Sequence, residues 1–262
     1  MPDPAPDQGS PLQGAPRRDD AARDAPPRLS IIIPVLNEAA ALPATLAALC
    51  PLPGLEVIVV DGGSDDATVA LAARAGARVL HAARGRGTQL HAGALAARGP
   101  VLWFLHADTQ PRCAAAAAAA IAAALQAPTT VGGYFRLRFR PHRDGRRLAP
   151  RFLTGLYPRL RWLGLVYGDS GIFLRRSTYH QMGGFAPLPL FEDLDLLRRL
   201  RRCGHVARLA ESLQTSSRRF EAGFPRTFGR WTLLQCLFWL GVSPHRLARH
   251  YPTTPRPVES GK

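Results

Sequence analysis

The sequence predicts an α/β fold in which a mostly parallel sheet is flanked by helices. Two observations carry this expectation. Short apolar runs, among them Ile31-Ile32-Ile33, Val57-Ile58-Val59-Val60 and Val101-Leu102-Trp103-Phe104-Leu105, have no alternation of polar residues. Such runs are buried on both faces, as in a parallel sheet covered by helices on each side. They also alternate with helical segments over about a hundred residues, the pattern of right-handed strand–helix–strand units.

The elements follow in order. Met1 to about Pro27 is rich in Pro, Ala and Asp, with five Asp against three Arg, and reads as a disordered tail spanning 1–28. Leu29–Val35 opens the fold as a strand that should end or splay at Pro34, which has no N–H to give a ladder. A helix over Ala39–Leu49 precedes a second strand, Leu55–Val60. A third unit has helix Ala67–Ala75, short strand Arg78–His81 and helix Thr88–Ala97. Val101–Leu105 is the fourth strand, with a helix starting near Pro111. The Ala-rich run Cys113–Leu125 reads as a helix, because Ala has the highest helix propensity and Ile121 and Leu125 form an i,i+4 anchor. Beyond Gln126 the pattern changes. Val131–Phe139 suggests a strand pair, Ile172–Leu174 a strand, Phe191–Cys203 a helix and His205–Leu209 a last strand. Gln214–Pro225 then forms a mobile link to C-terminal helices. The 262 residues suit one domain over 29–250, with 251–262 as a second tail.

Composition narrows the function. The net charge is +15 and the pI about 11.2, which would suit a nucleic-acid binder. Yet Lys262 is the single lysine, and an Arg bias beside so much Ala, Gly and Pro resembles codon preference more than a selected patch. No nucleic-acid partner is therefore expected. Arginines do concentrate in Arg136–Arg161 and Arg198–Arg219, where a substrate or membrane surface could use them. Cys50, Cys113, Cys203 and Cys236 are isolated, against structural zinc or a disulfide framework and in keeping with a reducing compartment. The first thirty residues lack the apolar core of a signal peptide, and no run reaches the roughly 20 apolar residues of a membrane span. The expected location is cytoplasmic. Trp231–Val242, flanked by Arg226, Arg230, Arg246 and Arg249, reads as a core helix or as an interfacial helix on anionic lipid, which would place the protein at the inner membrane surface through 224–250.

The chemistry sits at strand ends. In open sheets of this kind, ligands bind beyond the carboxyl ends of the strands. Three strands finish on acids: Glu38, then Asp61 with Asp65, then Asp108. Neither a GxGxxG turn nor a Walker A loop follows the first strand, which disfavours classical dinucleotide binding. Acids in this place suit hydrogen bonding to a base or ribose and the holding of a divalent cation against a pyrophosphate. Each also has a structural reading. Asp108 could cap the next helix, Asp61-Gly62-Gly63-Ser64 could be a turn, and Glu192 with Asp193 could complement a helix dipole. Tyr134, Phe135, Trp162 and Tyr167 read as core.

Taken in order, Ile31–Glu38 (IIIPVLNE), Val57–Asp66 (VIVVDGGSDD), His106-Ala107-Asp108, Gly183-Gly184-Phe185 and Glu192-Asp193 resemble the family-2 nucleotide-sugar glycosyltransferases. The likeness spans about Leu29 to Phe220. Gly85-Arg86-Gly87-Thr88-Gln89, Gly168–Phe173 and Ser217–Phe220 are similar to a compact soluble bacterial branch often associated with radical-SAM or selenium-related proteins. The resemblance implies a GT-A type, Rossmann-like fold with a C-terminal helical extension on the acceptor side. It implies a nucleotide-sugar-binding half at 29–127 and an acceptor half at 131–250. Pro34, Glu38, Asp61 and Asp65 would border the nucleotide, with Asp61 accepting from a uracil-type base, and Arg86 would lie near it. Asp108 matches the last acid of the D-x-D element and would ligate Mg²⁺ or Mn²⁺. His106 stands where many relatives have Asp and would contact the ribose or, in the alternative, act as a second metal ligand. Asp193 matches the base that deprotonates the acceptor, with Glu192 in support. Arg218 or Arg219 corresponds to a basic-aromatic element that closes over the diphosphate, although Gln214–Arg218 lacks a clean Q-x-x-R-W.

The implied function is metal-dependent, inverting transfer of a sugar from a UDP-sugar to an acceptor that the arginines and apolar C-terminal helix would suit if it were lipid-linked or anionic. The rivals are a nucleotidyltransferase, which should show a Gly-rich basic loop where Val35-Leu36-Asn37-Glu38 stands, a non-enzymatic binder of nucleic acid or membrane built on the arginines, and a transferase that binds UDP without turnover.

Overall fold

The computed structural model describes residues 27–50, 52–140, 152–156, 159, 168–216 and 224–250. The expected tails therefore lie outside the described residues but for Pro27 and Arg28, as do Trp162, Tyr167, Arg218 and Arg219.

Eight strands form one sheet in the order β3-β2-β1-β4-β7-β6-β8-β5. The first four, β1 (Leu29–Val35), β2 (Leu55–Asp61), β3 (Arg78–His81) and β4 (Val101–Phe104), are mutually parallel. Strand β7 (Phe173–Arg175) runs antiparallel to β4 and to β6 (Thr130–Arg140). Strand β8 (His205–Ser216) then pairs parallel with β6 and antiparallel with β5 (Thr109–Pro111). The sheet is mixed but mostly parallel, and it runs through both halves of the chain.

The apolar runs explain its two-sided burial. Alternate residues of each central strand enter opposite cores. Ile31, Ile33, Val57, Val59 and Trp103 pack with helices α1 (Leu42–Leu49) and α4 (Ala114–Ala124). Ile32, Ile58, Val60, Leu102 and Phe104 pack with α3 (Arg86–Ala96), α5 (Arg176–Gln181) and α6 (Glu192–Cys203). Helix α2 (Thr68–Arg74) follows β2. Gly93 lets α3 lie close on the sheet, since a side chain there would collide with Ile32 and Val60.

Several expectations are corrected. β1 continues through Pro34 to Val35 in register with β2, while its ladder to β4 ends at Ile32 opposite Phe104. Pro34 thus sits where the β4 side no longer asks for an N–H, and the splay occurs on that side alone. Val131–Phe139 is one long strand rather than a strand pair. The last strand extends to Ser216, so Gln214–Ser216 belong to a ladder rather than a mobile link, with Thr215 opposite Thr109. The helix expected near Pro111 begins at Ala114, because Thr109–Pro111 pair with β8 as β5 first.

At the opposite, amino-terminal edge, Glu56 is a buried hub. It accepts from Ser30 Oγ at 2.7 Å, from the Arg98 backbone N–H at 2.9 Å and from Arg98 Nε at 2.9 Å, with Arg78 at 3.3 Å. Burial would raise its pKa, but these donors outweigh it and hold the carboxyl below its ordinary value. A carboxylate whose pKa falls on folding adds stability above its unfolded-state value, and that stability is lost as pH falls through the native one. Glu56→Gln is expected to flatten the acid limb of a urea-stability profile below about pH 4.5. An unchanged acid limb would count against this role.

Candidate functional site

The parallel arrangement brings the carboxyl ends of β1, β2 and β4 to one edge, and the loops leaving β1 and β2 are joined by hydrogen bonds. The Asn37 amide donates to Ser64 Oγ at 2.9 Å, the Glu38 amide to Thr68 Oγ1 at 2.8 Å, and the Asp65 amide to Asn37 Oδ1 at 3.0 Å. Asn37 adopts φ 55°, a left-handed conformation that Asn tolerates better than most residues. Beneath them, the Gln89 amide nitrogen of α3 donates to the carbonyls of Val35 and Val60 at 2.8 Å each, tying the two strand ends together. No expectation had singled out Gln89, although it lies in the quoted Gly85–Gln89 block.

Asp61 is buried, and its carboxylate accepts from the Gly63 and Ser64 amides at 2.9 and 3.1 Å and from Ser64 Oγ at 2.5 Å, with His81 Nδ1 at 3.4 Å. Burial pushes its pKa up, but these donors prevail and lower it. The turn reading of Asp61 is thus realised, and the same bonds fix the carboxylate as an anion at the strand end. Asp65 is exposed and Pro34 and Glu38 are half-buried on the same edge.

Asp108 does not cap a helix. It lies between β4 and β5, half-buried, while α4 has Cys113 at its N-cap and no side-chain cap. Thr109 Oγ1 lies 2.9 Å from Thr215 Oγ1, which sets the end of β8 beside Asp108. Tyr134 and Phe135 are buried in the core.

The two halves meet through charged side chains. Arg86, at the first position of α3, pairs through Nε with Glu192 and lies 3.9 Å from Asp193 through a terminal nitrogen. Burial alone would weaken the charge on this guanidinium, but Glu192 and Asp193, aided by Asp169, hold its proton more tightly than usual. His106 Nε2 lies 3.6 Å from Asp169 Oδ1. Arg86, expected near the nucleotide, therefore rests against the acids that open α6 in the second half of the chain. Asp169 is a site residue the sequence did not single out; its place in Gly168–Phe173 was the available signal, and proximity to His106 came only with the β4–β7 pairing.

Glu192 and Asp193 are 1% and 4% exposed and open α6, where acids also favour the helix dipole. The preceding Phe191 is held at φ 61°, a conformation costly for a bulky residue and often found where a site is built. Its ring packs on Phe238 at 4.7 Å.

The Gly183-Gly184-Phe185 turn is shaped by buried Tyr179 and half-buried His91. Tyr179 is pushed up to about 12 by burial, and burial lowers the His91 pKa. The Tyr179 hydroxyl lies 2.8 Å from His91 Nδ1, and its oxygen accepts from the Phe185 amide at 3.1 Å. Gly184 has φ +67°, and a side chain there would strike both rings.

Comparison with known proteins agrees with this architecture. Residues 30–183, over half of the chain, match the family described as Glycosyl transferase family 2. An uncharacterized glycosyltransferase of Mycobacterium tuberculosis is 43% identical over 81 residues, which is 30% of this chain and about a third (36%) of that protein's length. Among solved structures, S. aureus TarS 1-349 superposes with a TM-score of 0.55 at 17% identity, covering 73% of this chain and 61% of that one. In a longer S. aureus TarS structure the chain covers 36% of that chain's length. Glucosyl-3-phosphoglycerate synthase from M. tuberculosis, solved with Mn²⁺, UDP and glucosyl-3-phosphoglycerate, superposes with a TM-score of 0.51 at 22% identity, covering 75% and 72%. At these identities the structural likeness is one of fold. With a sheet of the expected type and over half its residues matching the family, the chain belongs to glycosyl transferase family 2.

Proposed function

We propose that this protein transfers a sugar from a nucleoside-diphosphate sugar, a UDP-sugar, to an acceptor hydroxyl with inversion at the anomeric carbon. One observation carries the reading. Arg86, at the start of α3, pairs with Glu192 beside Asp193, and Asp169, close enough to act on Arg86, also lies 3.6 Å from His106 at the end of β4, so acids from the second half of the chain approach the edge where the strand-end acids gather. The family match and the UDP-bound relatives of the same fold support it.

In this reading Asp61 and its loop receive the base, with Pro34, Glu38, Asp65 and His106 bordering the nucleoside. Asp193 takes the acceptor proton as the acceptor oxygen attacks the anomeric carbon. The bond from that carbon to the diphosphate breaks with its electron pair on the leaving oxygen, and Glu192 positions Asp193 through Arg86. A single displacement needs one base and no carboxylate nucleophile. Arg218 and Arg219, which follow β8 in the sequence, are the proposed diphosphate contacts.

Among the described residues no three His, Cys, Asp or Glu side chains gather into a metal centre. A hard cation such as Mg²⁺ or Mn²⁺ is commonly held by one or two carboxylates with substrate phosphates and water completing the shell. Asp108 fits that role. The bound ion would supply charge neutralisation to the departing diphosphate.

The test is a thermal-shift panel of nucleotide sugars with and without Mn²⁺. At about a hundredfold excess over Kd, a UDP-sugar with Mn²⁺ is expected to raise Tm by roughly 5–10 °C, and Asp108→Ala to remove the metal-dependent part. Equal shifts in wild type and Asp108→Ala would displace Asp108 from the cation. No shift with any nucleotide sugar would sink the transferase reading.

A further inference from the structure

We infer that the exposed face of the C-terminal helical pair docks on an anionic bilayer surface and so sets the acceptor side of the proposed cleft against lipid. The pair comprises α7 (Phe224–Trp239) and α8 (Pro244–Ala248). Its inward face is committed: Phe228, Trp231, Leu234, Leu237 and Phe238 pack on the core. The outward face is not polar. Leu233 is 58% exposed, Trp239 54% and Leu240 80%, three of the few large apolar side chains that the described residues leave in water. Arg230 and Arg226 lie one and two turns before Leu233 on the same stripe, and His245, Arg246 and Arg249 follow Leu240, all exposed.

Between Phe224 and His250 there is no Asp or Glu. Apolar side chains inside a rim of arginines, with no acid, match the electrostatics of an anionic headgroup layer over an acyl boundary. They do not match a second copy of this chain, because a self-complementary contact on this face would bring Arg226, Arg230, Arg246 and Arg249 toward their own equivalents. No helix among the described residues is long and apolar enough to cross a membrane, so the contact is with the surface.

Placement gives the contact a use. Phe238, next to Trp239, packs on Phe191, and Phe191 directly precedes Glu192 and Asp193. A bilayer under Trp239 and Leu240 is therefore separated from the start of α6 by one aromatic pair. An acceptor with its hydroxyl group at a lipid headgroup would reach Asp193 from that side. This consequence rests on the transferase reading; the docking itself does not.

The experiment is flotation of the full-length protein with phosphatidylcholine vesicles that contain or lack phosphatidylglycerol, at low and high salt, without donor or acceptor. Binding to the anionic vesicles alone, weakened by salt, is expected. Arg226→Gln with Arg230→Gln should weaken it roughly thirtyfold, at about a tenfold-per-1.4 kcal/mol conversion of two basic side chains near the surface. Leu233→Ser with Leu240→Ser should abolish flotation while the circular dichroism spectrum and the UDP-sugar thermal shift stay as in wild type, since both side chains are exposed and neither belongs to the proposed donor-binding residues. Absence of binding to anionic vesicles would overturn the inference. So would binding that survives the Leu233→Ser, Leu240→Ser change, or a concentration-dependent dimer that this change dissolves. Because flotation uses no nucleotide, its outcome is independent of whether the donor panel succeeds.

Discussion

Asp193→Asn is expected to lower kcat by about 10²–10⁴-fold, the range that a positioned general base contributes, while leaving donor binding nearly unchanged. Asn preserves the volume and can keep the oxygen that accepts from the Leu194 amide at 2.8 Å, so α6 should start as before. What is lost is the capacity to take a proton. The acceptor hydroxyl is a poor nucleophile until that proton leaves, and no metal near the diphosphate can substitute for a base on the opposite face of the sugar. The measurement pairs initial transfer rates with the UDP-sugar thermal shift. A rate within threefold of wild type would mean that another group is the base. Loss of the donor shift together with the rate would mean that Asp193 supports the donor half instead. Glu192→Gln should cost less in rate, because Glu192 acts through Arg86 and not on the acceptor.

The first half of the fold was legible because its strands are buried on both sides. Ile31-Ile32-Ile33 and Val57–Val60 have no solvent face to disguise, so composition alone marks them, and parallel order follows from the intervening helices. The second half was less so. In β6 the exposed Arg136 and Arg138 alternate with buried Leu137 and Phe139, a pattern that fits a hairpin as well as one long strand; pairing with β8, some 75 positions away, decides it. β5 is three residues long and exists through Thr215. The site divides the same way. Strand-end acids could be named because a parallel sheet collects them at one edge. The contact of Arg86 with Glu192, 106 positions apart, has no local signature, and neither does the left-handed Phe191 that aims the start of α6. Asp169 was hidden for a related reason: β7 had to be set antiparallel beside β4 before its preceding loop could meet His106.

Arg86→Ala is expected to be the most damaging substitution for stability among the site residues. The Glu192 and Asp193 side chains are 2% and 6% exposed, and Arg86 is the cation both face, itself one-third exposed. Breaking a buried pair by removing one partner costs about 3–5 kcal/mol, because a desolvated charge remains. Water reaching the Arg86 side places this pair at the lower end, about 3 kcal/mol. For a chain of this size that is a drop of roughly 6–12 °C in Tm. Lys should rescue only part of it, since an ammonium cannot span two carboxylates as a planar fork does. The informative variant is Arg86→Ala with Glu192→Gln. Removing one anion along with the cation should restore most of the Tm, yet transfer should stay low, because Asp193 would have lost the guanidinium that orients it. If the double variant recovered both stability and rate, Arg86 would be a structural strut alone. If Arg86→Ala melted within about 2 °C of wild type, the bridge between the two halves would carry no stability, and the cleft would have to be held together by the sheet itself.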